Sequence, residues 1–139
     1  MIKLAKDQLN NKNDYLFNVE ILDTKTEKLF SIINTIVRII EFQKCKDEIH
    51  NVFFSLVHFA DHNLKDVEII LKDLKSKSYN LQTEHNKDFV KNIIEFQNNY
   101  KAGKDNLCTN LLNYIVEWNN KQREINIRNI EVFEKKKIF

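Results

Sequence analysis

One glycine, Gly103, and no proline in 139 residues is the feature that most narrows what this chain can fold into. Hairpins and sandwiches take their tight reversals from glycine and proline turn chemistry, whereas helix interiors do without both. The expectation is therefore an all-α protein. A chain of this length fits one compact domain, and 42% hydrophobic with 30% charged residues is ordinary for a globular protein able to bury a core.

Charge excludes little but guides the partner question. Twenty-two Lys and Arg against 20 Asp and Glu leave a formal +2, with no basic excess of the kind that points to DNA, RNA or an anionic membrane. The run Lys135, Lys136, Lys137 reads as a solvated helix terminus, where cations suit the dipole. The first residues lack an apolar stretch of secretory length, and the greasiest run, Phe30 to Ile40, is interrupted by Asn34 and Arg38. A cytoplasmic protein with no membrane span is expected. Cys45 and Cys108 share no C-x-x-C spacing and, in a reducing compartment, read as small apolar or surface residues without a redox or metal role.

Residues 1–22 are polar and Asn-rich around a short apolar patch, and read as an extended arm lying on a bundle formed by residues 23–139. Thr24-x-x-Glu27 has the form of a capping box, with Asp23 beside it, and sets the expected start of a first helix. Thr26, Phe30, Ile33, Val37 and Ile40 then fall on one stripe. Gln43 to Asp47 is polar but holds no breaker, so the first turn is poorly marked. A second helix over about 48–75 carries Val52, Phe53, Leu56, Phe59, Ala60, Leu64, Ile69, Ile70 and Leu74, with His58, His62 and Asp66 along one line.

After Ser76-Lys77-Ser78 a third helix to about 101 presents Leu81, His85, Phe89, Ile93, Phe96 and Tyr100. Gly103 closes it, and Asp105 is placed to cap a fourth helix to about 134 with Leu107, Leu111, Ile115, Trp118, Gln122 and Ile125 on one face. Four amphipathic helices on short connections bury their stripes most simply as an up-down-up-down four-helix bundle.

With those helices laid out, the chain resembles the bacterial hemerythrins. Asp23-Thr24-Lys25-Thr26-Glu27-Lys28-Leu29-Phe30 is similar to the family's I-D-x-Q-H-K-x-L-F segment, matching at Asp23, Leu29 and Phe30, with Thr26 in place of the ligand His. His62-Asn63-Leu64-Lys65-Asp66-Val67 falls on H-F-x-x-E-E, keeping the His and shortening the carboxylate to Asp66. Leu81 to His85 falls on H-x-x-x-H and keeps only the second His. Tyr114 to Arg123 falls on W-L-x-x-H-x-x-x-x-D, with Trp118 for the His and Arg123 for the Asp.

The resemblance runs from about Tyr15 to Phe133 in layout, while most iron ligands are missing. A di-iron site needs bridging carboxylates and imidazoles around two adjacent hard cations, so the resemblance implies a bundle that carries no dioxygen and has no resident cofactor. It further implies that Asp66 and Arg123 face each other as a buried ion pair where the irons would sit. Leu81 and Trp118 would then fill vacated imidazole positions, and Thr26 would shrink another.

The alternative is a reduced iron or zinc site held by His62, Asp66 and His85, because two His and a carboxylate with open positions is a known metal-binding set. His58 and His50 read as packing or surface residues. No Ser/His/Asp arrangement, Gly-rich loop or H-E-x-x-H appears, so no enzyme is expected. A structural or protein-interaction module remains, with an unknown protein partner or a homo-oligomer, and Tyr15, Phe17, Tyr79, Tyr100 and Phe139 as candidate anchors.

Overall fold

The computed structural model describes residues 2–137, with side-chain surroundings as far as Phe133, so Phe139 and the side chains of Lys135 to Lys137 lie outside the described residues. All regular structure among those residues is helical: α1 (Lys3–Asn10), a 3-10 turn (Lys12–Tyr15), α2 (Glu20–Glu41), α3 (Cys45–Phe59), a π turn (Ala60–Leu64), α4 (Lys65–Asp73), α5 (Tyr79–Lys101) and α6 (Leu107–Lys137). The π turn joins α3 to α4 without a break, so the two act as one long rod. α2 packs on α3 and α6, α5 packs on α3, α4 and α6, and α1 lies against α2 and α6.

The arm is thus not extended. Ala5 and Gln8 of α1 are buried, which gives this short helix the tertiary contacts an isolated two-turn helix lacks. The Thr24-x-x-Glu27 signal also yields to tertiary structure: α2 begins four residues earlier at Glu20, and Thr24 and Glu27 are exposed inside the helix. Asp23 works backward instead, its Oδ1 accepting the Phe17 N–H at 2.9 Å and so fixing how the arm enters α2.

Three helices end alike. Beyond α2, α4 and α5 the chain turns left-handed at Gln43 (φ 56°), Lys75 (φ 54°) and Gly103 (φ 72°). Each of these residues donates its N–H to a carbonyl three residues back, and the next residue donates to one five back, as in Lys44 N–H to Ile39 at 2.9 Å and Lys104 N–H to Asn99 at 3.1 Å. Only one site has glycine, so Gln43 and Lys75 bear a left-handed cost of about 1–2 kcal/mol each. Asp105 does not begin α6: Asn106 precedes the helix, and its carbonyl accepts from Asn110 N–H at 3.0 Å.

At that end of the molecule Cys45 and Cys108 are joined by a disulfide with Cα atoms 6.0 Å apart. The reading of two separate small residues is therefore corrected, and the premise of a reducing compartment behind it does not fit the bond, because disulfides persist where conditions are oxidising. The physical reason for the miss is topological. The α2–α3 and α5–α6 turns meet at one end, bringing together sulfurs 63 residues apart in sequence. No helix among the described residues is long and apolar enough to cross a membrane.

Candidate functional site

The apolar interior is divided. A large cluster runs from Ile39, Ile49 and Leu107 through Ile33, Leu56, Leu111 and Phe89 to Phe59 and Trp118. A small one holds Val19, Leu22, Val67, Leu71 and Phe133. Between them, on four helices, the inward positions are polar: Lys25 and Thr26 on α2, Glu68 on α4, Gln82 and Asn86 on α5, Gln122 and Asn126 on α6. All but Glu68, which is half-buried, are at most 5% exposed.

This layer is a chain of amides. Gln82 and Gln122 pair reciprocally across α5 and α6, Gln82 Nε2 donating to Gln122 Oε1 at 2.8 Å and Gln122 Nε2 to Gln82 Oε1 at 2.7 Å. Gln82 also donates to Asn86 Oδ1 at 2.7 Å, and Gln122 to Asn126 Oδ1 at 2.8 Å. Asn86 Nδ2 carries the chain to the Glu68 carboxylate at 2.9 Å. Such a network is stabilising only when its members are satisfied, since an unpaired buried polar group costs about 1–3 kcal/mol.

Lys25 is the exception. Its ammonium is buried with no hydrogen-bond partner. Loss of hydration pushes its pKa down to about 7, against a smaller opposing pull from Glu68. A buried amine that titrates near neutrality is the most strongly perturbed cation the structure describes.

The positions expected to be metal ligands do not gather here. His62 and Asp66 are exposed, and Asp66 lines a surface groove with Thr24 and Asn63. The rings of His62 and His58 lie 4.2 Å apart between centroids with their planes tilted by 45°, both side chains being exposed. His85 is half-buried and stacked flat on Trp118 at 4.2 Å. Its Nε2 lies 3.0 Å from the Trp118 carbonyl, which can only accept, so the proton is assigned to Nε2. Trp118 Nε1 returns a bond to the His85 carbonyl at 2.9 Å. Burial pushes the His85 pKa down to about 4 despite that carbonyl, so the ring is neutral at ordinary pH. Among the described residues no three His, Cys, Asp or Glu side chains gather to hold a metal ion.

The expected Asp66–Arg123 pair is absent as well. Arg123 turns toward the arm, donating from Nε to the Asp14 carbonyl at 2.7 Å and lying 5.6 Å from the Tyr15 ring centroid. The arm's carbonyl and aromatic face give the guanidinium a partly hydrated seat, which avoids the desolvation a buried pair would suffer. Leu81 is 42% exposed and plugs nothing, whereas Trp118 and Thr26 are buried as expected.

What sequence reasoning missed is Lys25, Glu68, Gln82, Asn86 and Asn126. The signal was present, since Gln82, Asn86, Phe89 and Ile93 recur at spacings of four and three, but amides do not register in a count of apolar residues. No protein-family model matches the chain, and neither curated proteins nor solved structures gave a match. The class defined by the geometry is thus an all-helical protein with a buried amide and lysine layer.

Proposed function

We propose that this chain is a hemerythrin-like, up-down-up-down four-helix bundle that works without metal or dioxygen, as a structural or protein-interaction module and not an enzyme. The observation that carries the reading is the composition of the central layer. Its amides are spent on one another, and its one cation, Lys25, has no partner. A metal ion in this layer would find one carboxylate, Glu68, already bonded to Asn86, and would meet a positive charge on Lys25 below about pH 7. The residues present do not fit a di-iron centre, and His85 has its Nε2 committed to Trp118.

A reduced iron or zinc site using His62, Asp66 and His85 has less support, because two of the three side chains face solvent and the third is stacked and bonded. Elemental analysis of protein purified without chelators, with an absorption spectrum, tests the reading. The expected sample is colourless, folded and holds substoichiometric iron and zinc. Stoichiometric metal that survives dialysis would overturn the proposal.

A further inference from the structure

His58 and His62 stand four positions apart on one continuous helix, His58 in the last turn of α3 and His62 in the π turn that follows. In an α-helix, four residues carry the chain about 40° past a full revolution. The wider π turn advances less per residue, which draws His62 back toward a place directly above His58. Both side chains are exposed, and their rings lie 4.2 Å apart between centroids. A single π turn inside an α-helix is uncommon and recurs at functional sites, and here its local product is a pair of imidazoles side by side in solvent.

Neither imidazole is held by a hydrogen bond or ion pair among the described residues, unlike His85, whose Nε2 meets the Trp118 carbonyl at 3.0 Å. A neutral imidazole keeps one nitrogen lone pair, so the pair offers two nitrogen donors on one helix face. Two histidines at this spacing are how helical zinc sites grip their ion. Phe59 follows His58 where such sites carry a catalytic glutamate, so the pattern implies binding alone. The charges nearby do not forbid a cation. Lys28 lines a hollow of about 220 Å³ with His58, but it is exposed on a long stem that can turn its ammonium to water. Asp61 and Lys65 offset each other at 3.9 Å, and Asp66, a turn beyond His62, is an exposed carboxylate.

We infer that His58 and His62 form a surface site for an exchangeable divalent transition-metal ion of the class that favours imidazole, with water completing its coordination. The ion ties α3 to the π turn and holds that turn in register. This goes beyond the reading of the central layer and puts no metal into it. With two protein ligands the ion is lost on dialysis, so metal content after dialysis tests the layer and added metal tests the pair.

Calorimetric titration of the dialysed full chain with zinc chloride, and separately with magnesium chloride, is the test, alongside electron paramagnetic resonance of the copper(II)-loaded protein. Wild type, His58→Gln, His62→Gln and His50→Gln are compared, with circular dichroism to verify each fold. The expected results are one zinc ion per chain, no magnesium binding, and a copper signal with two nitrogen ligands. His58→Gln and His62→Gln each weaken zinc binding about tenfold or more, since loss of even an outer-shell partner costs that much. His50→Gln, exposed near the start of α3, leaves it unchanged. A wild type that binds no zinc at millimolar concentration overturns the inference, as does zinc binding that His58→Gln or His62→Gln leaves intact.

Discussion

The disulfide end of the molecule and its middle solve the same packing problem by opposite means. Near Cys45 and Cys108, the helices meet through aliphatic side chains such as Ile33, Ile36, Leu111 and Leu112, none more than 3% exposed, with a covalent link across 63 residues. In the middle, the same helices meet through Gln82, Gln122, Asn86 and Asn126 around an unpaired Lys25. Apolar contacts are tolerant of exchange, because volume and pattern suffice. Amide pairs fix distance and register, since a shift along the axis strands donors on both helices. The difference suggests a division of labour, with one region supplying stability and the other alignment.

The largest effect should come from the apolar region. Phe89 is fully buried and packs its ring against Phe59 at 5.7 Å and Trp118 at 4.8 Å between centroids. Phe89→Ala removes those contacts and leaves a cavity, so chemical denaturation should report a loss of ~3–5 kcal/mol. A loss below ~1 kcal/mol would mean that this region collapses freely and would erase the contrast with the middle.

Lys25 sharpens the comparison with an effect of the opposite sign. Its folded pKa of about 7 lies below its ordinary 10.5, so the unfolded chain binds the extra proton between those values. Folding stability therefore rises as pH climbs through 7 toward 10.5, and the burial penalty is fully present below pH 7. Lys25→Met should stabilise the protein by ~1–3 kcal/mol at pH 6, and by progressively less from pH 7 to 9. Urea unfolding across that range measures it. A gain that stays constant with pH would show that burial of charge is not what distinguishes the middle.

These two regions were not equally legible in the sequence. Phe30, Ile33 and Val37, and Val52, Phe53, Leu56 and Phe59, were read correctly as core because hydrophobic periodicity is a direct trace of burial. Helix ends were harder: Gln43 and Lys75 take a left-handed conformation that glycine usually marks, so those turns leave no letter to read. The π turn at Ala60–Leu64 is equally silent, and it shifts the face of everything after it. Ile69, assigned to the core, is 58% exposed. In the candidate site, Trp118 and Thr26 were found to be interior and the amide layer was not, because polar residues enter a core through partners on other helices.

The smallest expected effect falls on the residue that resemblance placed at the centre. Asp66 is exposed on α4, whereas Glu68, two positions on, receives the Asn86 amide at 2.9 Å and feels Lys25. A helix turns roughly 100° per residue, so the two carboxylates point about 200° apart and only one can belong to the layer. Asp66→Ala should therefore change stability by no more than ~0.5 kcal/mol, the range of ordinary surface substitutions. Paired denaturation curves with Arg123→Ala measure whether the two positions interact, and additive effects are expected because Arg123 bonds to Asp14. A loss of ~3 kcal/mol for Asp66→Ala, coupled to Arg123, would bring a buried ion pair back into the middle of the bundle. Alignment there would then depend on charge, and the contrast with the apolar end would have to be redrawn around it.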